Sequence, residues 1–170
     1  MGDRDDWAVL LDPVWEPRFD GEQPPTEALV GGWPLDEHGN PGRFEPNPEY
    51  VPATASSPTD PADAVMRLVM EGTAPGDALL PIVRDAMLAL AVSEDGYPLV
   101  GPAPDGVPCV AVVTAPAHRT RVETDHWAEV TAEQLLDVLP PDTDILLNPD
   151  GPASTRLLAG ALRASYTEPD

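Results

Sequence analysis

The sequence predicts an α+β fold: a mixed, mainly antiparallel sheet with helices packed on one side, plus a Pro-rich N-terminal arm. Three observations lead there. Apolar runs of strand length recur between turn signals, at Trp7 to Leu11, Ala86 to Val92 and Cys109 to Val113. Segments with helical periodicity and start and stop signals stand between them, from Thr59 to Gly72 and from Thr131 to Leu139. Six prolines between Pro34 and Pro58 remove ladder donors and favour extended or turn conformations over regular structure.

In chain order, Trp7 to Leu11 and Ala28 to Trp33 read as strands joined by a long Pro-rich connection through Trp15 and Phe19. Residues 34 to 60 read as a loop or arm. A helix then starts with Asp60 or Thr59 as cap and Pro61 in its first turn, carries Val65, Leu68 and Val69 on one face, and stops at Gly72. A second helix start follows at Pro75-Gly76-Asp77, where Pro81 should either shorten the helix or be confined to its first turn. Strands at Ala86 to Val92 and Cys109 to Val113, with turns at Ser93-Glu94-Asp95-Gly96 and Asp105-Gly106, read as a β-meander. Trp127 to Val130 is a short strand, and Thr131 with Gln134 forms a capping box for a helix ending at Pro140-Pro141. Ile145 to Leu147 is the next strand, and Ser154 to Ala164 a closing strand or helix. These elements divide into residues 1–60, a hairpin with the arm, and residues 61–170, the α+β core, expected to form one compact unit.

Nine arginines, no lysine and thirty acids give a formal charge of −21. Such a chain repels phosphate backbones and anionic lipid, so nucleic acid and membrane surfaces are set aside. The Arg-only cation set matches the codon bias of a GC-rich genome. The longest apolar run, Ala86 to Val92, is too short to span a bilayer, and the start Met1-Gly2-Asp3-Arg4-Asp5-Asp6 lacks the regions of a signal peptide. A cytoplasmic protein is expected. Cys109, the single cysteine, lies in an apolar strand without an adjoining cation and reads as a small hydrophobe.

No catalytic residues, cofactor or metal site are expected. The chain has no phosphate-binding loop, no dinucleotide fingerprint and no nucleophile elbow. His38, His118 and His126 show no ligand spacing and read as surface histidines. Asp36-Glu37-His38-Gly39-Asn40 has its oxygens at the wrong positions for calcium. Asn148-Pro149-Asp150-Gly151-Pro152 after a strand reads as a tight turn, with an anion-binding amide nest as the alternative. The segment Arg43-Phe44-Glu45-Pro46-Asn47-Pro48-Glu49-Tyr50 puts two aromatics and an arginine on a stiffened ribbon. With Trp15 and Trp33, the residues Arg43, Phe44 and Tyr50 form the candidate partner-binding set, because aromatics and arginine dominate interface energetics. The opposing reading has Phe44 and Tyr50 pinning the arm to its own core.

The stretch from Pro108 through Leu162 resembles the N-terminal domain of the enhanced serine sensitivity (SseB) family. The resemblance is carried by Val110 to His118, Trp127 to Leu139 and Leu146-Leu147-Asn148-Pro149-Asp150-Gly151-Pro152. The front half, with Gly32-Trp33, the segment Phe44 to Tyr50 and Ser57-Pro58-Thr59-Asp60-Pro61, resembles actinobacterial proteins labelled type VII secretion system-associated. The resemblance implies an α+β fold, a cytoplasmic protein connected with type VII secretion, and no catalytic residues.

The leading expectation is therefore a non-enzymatic accessory or adaptor protein that binds a protein partner, a secretion component or substrate. One rival is a small-ligand sensor or enzyme with a cleft near His118, His126 and Asn148. Another is an acidic immunity-type protein that neutralises a basic toxin.

Overall fold

The computed structural model describes residues 6–167. Helices combine with mixed, mostly antiparallel sheets, an α+β architecture. The chain divides into two compact units at Ala64/Val65.

In the first unit β1 (Trp7–Leu11) pairs antiparallel with β2 (Leu29–Pro34), and β2 pairs with the two-residue β3 (Glu45–Pro46), in the order β1-β2-β3. A register shift between Leu10 and Leu11 interrupts the β1 ladder, which resumes at Leu11 opposite Leu29. The arm thus supplies a third strand that proline density had obscured. Pro46 has no N–H to give, and a two-residue strand at the sheet edge is where that loss is tolerated. Gly31 exists for space: a Cβ there would collide with the Phe44 ring and the Glu45 carbonyl. The unit's buried side chains are as much polar (Asp12, Ser57, Asp60, Asp63) as apolar (Ala28, Val30, Ala62).

Helix α1 (Pro61–Met70) starts where capping chemistry requires. The Asp60 carboxylate accepts the Ala62 and Asp63 amides at 2.9 and 3.1 Å, and Asp63 reaches back to the Thr59 amide at 3.0 Å. Pro61 takes the first helical position, where its missing N–H costs nothing.

The second unit is built on a six-stranded sheet. Its strands are β4 (Met87–Ala91), β5 (Val100–Pro102), β6 (Pro108–Val113), β7 (Trp127–Thr131), β8 (Asp144–Leu147) and β9 (Thr155–Leu157). The main path runs β7-β4-β6-β8-β9, with β5 on β6. This differs from the expected meander. β5 pairs with residues 108–110 of β6 and β4 with residues 112–113, so β4 and β5 lie end to end along one edge while β8 occupies the other. The Ser93–Gly96 turn makes the interruption: Ser93 donates to the Tyr97 carbonyl and Leu99 to the Ala91 carbonyl, closing a small hairpin between the two strands. β6 and β8 are parallel, and the crossover between them carries β7 and α3 (Ala132–Val138).

Leu88 to Ala91 of β4 are buried without a break, and in β6 Cys109, Val110, Val112 and Val113 are buried around a half-buried Ala111. Since successive side chains point to opposite faces, both faces of the central strands are covered. α2 (Leu79–Asp85) packs against α3 and against α4 (Ala159–Ala164), and α3 lies on β4 and β7. Arg156 bridges Asp144 at 2.7 Å and Asp105 at 2.8 Å, while the second Asp144 oxygen receives the first amide of α4 at 2.9 Å. Among the described residues no helix is long and apolar enough to cross a membrane.

The capping box of α3 has both bonds in place, Gln134 N–H to Thr131 Oγ1 at 3.3 Å and Thr131 N–H to Gln134 Oε1 at 2.9 Å. Replacing Thr131 by Ala should therefore lower stability by about 1 kcal/mol with native secondary structure retained, measured by urea unfolding.

Candidate functional site

In the first unit the functional candidates gather around one carboxylate. Asp12 follows β1 directly and is 2% exposed. Its Oδ1 accepts the Val14 amide at 3.0 Å and the Ser57 hydroxyl at 2.9 Å. Its Oδ2 accepts the Ala53 amide at 3.1 Å and faces the Tyr50 hydroxyl at 3.1 Å. That hydroxyl also donates to the Pro58 carbonyl at 2.7 Å, so a single proton is shared between two acceptors. Burial pushes the Asp12 carboxyl up, but the bonds from Val14, Ala53, Ser57 and Tyr50 outweigh it and hold the carboxyl below its ordinary range. Tyr50 moves the other way: burial, then the Asp12 charge, drives its phenol well above the usual value.

A second polar staple holds the arm. Asn47 donates from Nδ2 to the Thr26 and Leu29 carbonyls, each at 2.8 Å, and accepts the Glu49 amide on Oδ1 at 3.0 Å. The short Asn47-Pro48-Glu49-Tyr50 motif is thus a fastening: its first and last side chains tie the arm down. Trp33 and Phe44 pack ring on ring, centroids 4.9 Å apart and tilted by 59°, with Phe44 lying over Gly31. Trp33, Phe44, Tyr50 and Trp15 are all half-buried, and Arg43 is exposed. Of the five partner-binding candidates, Tyr50 is occupied by internal hydrogen bonds, Trp33 and Phe44 by each other, Trp15 is half-buried with its amide on the Asp12 carbonyl, and Arg43 faces solvent.

The ligand candidates lie in the second unit. Asn148, 0% exposed, ends β8 with a left-handed φ of 48°. Its side chain replaces a strand neighbour: Oδ1 accepts the Thr114 amide at 2.9 Å and Nδ2 donates to Thr114 Oγ1 at 2.9 Å, while its own amide reaches the Val112 carbonyl at 2.8 Å. Gly151 is again a matter of space, since a Cβ would fall 2.8 Å from the Asn148 carbonyl oxygen and 3.4 Å from His118 Nδ1. The positive φ values of the turn fall on Asn148 and Asp150.

His118 therefore packs beside the Asn148 turn, and at 2% exposure it is a core residue, contrary to the expected surface histidine. The 3-10 turn Pro116–Arg121 rolls it inward, and Arg121 Nη1 sits 3.2 Å from its Nδ1. His126 is exposed and fixed by main-chain bonds to Val92 and to the Thr124 hydroxyl. Open depressions lie beside the 139–144 loop and along residues 119–127, where Arg119 stacks 5.4 Å over Trp127 and pairs with Glu129.

Asp36 caps its own loop by accepting the His38 and Asn40 amides at 2.8 and 2.9 Å. Among the described residues no group of three His, Cys, Asp or Glu side chains is placed to hold a metal ion. Burial raises the Cys109 thiol, with the Asp144 charge adding to it.

The sequence pointed to Asn148, Tyr50 and the aromatics but missed Asp12, Asn47 and Ser57. The available signal for Asp12 was its place directly after an apolar strand and before Pro13, where an acid begins a turn by bonding the amide two residues on. These features define an acidic α+β protein in which polar side chains fasten a Pro-rich arm. No family model, no curated protein and no solved structure matches the chain.

Asp12→Asn places amide protons against groups that already donate, and should cost about 2–3 kcal/mol in urea unfolding. Because the folded carboxyl is held low, its contribution is complete above the unfolded value of about 3.9 and is lost as pH falls through the folded one. The acid limb of the stability curve should accordingly be shallower in Asp12→Asn than in the parent.

Proposed function

We propose that the chain is a non-enzymatic accessory protein that works by binding a protein partner through its first unit. The observation that carries this reading is the part-exposed Trp33–Phe44 pair held rigid over Gly31, with the exposed Arg43 beside it. Aromatics already fixed in place lose little entropy on docking, and together with arginine they supply most of the energy at interfaces. The resemblance to type VII secretion-associated proteins supports a secretion component or substrate as the partner, with the cytoplasm as the site of action. Against the ligand-cleft reading stands the burial of His118 and Asn148, both engaged in holding a turn. The charge of −21 favours a second reading, capture of a basic protein by the acidic surface alone, as an immunity-type protein would do.

Immobilised protein should retain a specific partner from the native host's lysate at both low and moderate salt, identified by mass spectrometry. Arg43→Ala should lose that partner while melting at the parent temperature, since the side chain is exposed. Undiminished retention by Arg43→Ala would remove the arm from the interface. Loss at moderate salt alone would favour the purely electrostatic reading.

A further inference from the structure

The outer edge of β1 leaves strand chemistry unsatisfied among the described residues. In the β1–β2 ladder Asp6 accepts from the Leu35 amide, so the directly hydrogen-bonded pairs are Asp6 with Leu35, Ala8 with Trp33 and Leu10 with Gly31. The alternate residues, Trp7 and Val9, turn their N–H and C=O groups away from β2. β1 is terminal in the order β1-β2-β3, and among the described residues these groups have no backbone partner.

Natural edge strands are blunted by charge, proline or bulges. β1 reads Trp7-Ala8-Val9-Leu10-Leu11, with neither charge nor proline, and only the irregularity after Leu10 interrupts it. Trp7 and Val9 stand 41% and 49% exposed, side by side on one face above Gly32, whose missing side chain lets them lean inward. An apolar face and a row of free ladder groups thus meet on the same two residues.

Charge selects the occupant. Residues 1–64 hold three arginines against fourteen acids, and the strand is preceded in sequence by Asp3, Asp5 and Asp6 with only Arg4 among them. A second copy would bring this acidity against itself. We propose that the edge of β1 accepts an extended basic segment of a partner protein as an added antiparallel strand. Its main chain bonds to Trp7 and Val9, its apolar side chains alternate onto Trp7 and Val9, and its cations answer the excess of acids in this part of the chain. The inference rests on the reading that the protein acts by binding another protein, and it specifies the partner's chemistry.

The test uses the full chain and short labelled peptides that alternate valine with arginine. The controls are a peptide of equal charge interrupted by proline and one that alternates valine with glutamate. Anisotropy should show binding of the first peptide only, and amide exchange at Trp7 and Val9 should slow by about tenfold or more on binding while Ala8 and Leu10 are little changed. Val9→Pro removes an outward N–H that the fold does not use and should weaken binding by about tenfold. Val9→Lys keeps the N–H, repels the cationic peptide and provides the same check should the proline variant fail to fold.

Equal binding of the proline-interrupted peptide, or binding without protection of Trp7 and Val9, would overturn strand addition. So would concentration-dependent protection of these amides in the free chain, which would assign the edge to a second copy. A lysate partner retained equally by Val9→Lys would leave the adaptor reading standing and the strand inference refuted.

Discussion

The first unit depends on the buried carboxylate of Asp12. Prolines deny residues 34 to 60 the regular ladders that hold most chains together, and the buried apolar side chains of the unit, Ala28, Val30 and Ala62, are small. One acid solves part of this by accepting from four points spread over more than forty residues: Val14, Tyr50, Ala53 and Ser57. A buried charge is tolerable only when its lone pairs are filled, and here both oxygens carry two partners. Asn47 repeats the device with two main-chain carbonyls as its acceptors. The arm is thereby fastened by directional bonds more than by burial, and each bond depends on the geometry of the others.

The second unit uses the same device at Asn148. Asn148 takes a left-handed conformation that few residues tolerate and then supplies side-chain bonds to the Thr114 amide and hydroxyl just past the end of β6. His118 and Gly151 close around it, so the turn expected from the sequence buries Asn148 and Pro149 while Asp150 and Pro152 stay exposed. Elsewhere this unit is held conventionally, by Val- and Leu-rich central strands buried on both faces.

What the sequence revealed was whatever is local. Asp60 with Pro61 and Thr131 with Gln134 announce helix starts because the cap and its partner lie within a turn of each other. Pro81 was legible only as a residue that shortens a helix or sits in its first turn, and it stands in the first turn of α2. The end-to-end arrangement of β4 and β5 could not be read, since which strand an edge meets is decided by chain reversal across residues 92 to 99 and not by alternation within either strand. Asp12 was hidden among thirty acids: nothing in its own residue type separates a buried hub from a solvated charge. His118 looked like a loop histidine because the 3-10 turn that rolls it inward leaves little periodicity to detect. The aromatics were legible as important, but the same side chains serve packing and display, and half-burial of Trp33 and Phe44 combines both.

A rigid arm is what makes the binding reading physical, because an edge strand and an aromatic pair present a surface only if the segment beneath them does not move. The most direct test of that rigidity is amide hydrogen exchange at Ala53, a residue in neither helix nor strand whose N–H is bonded to Asp12 Oδ2. Strong protection at Ala53, abolished by Asp12→Asn while the β4 and β6 amides of the second unit keep theirs, is the predicted result. Exchange at the rate of an open loop in the parent protein would show that the carboxylate does not hold the arm, and the account built on it would fail.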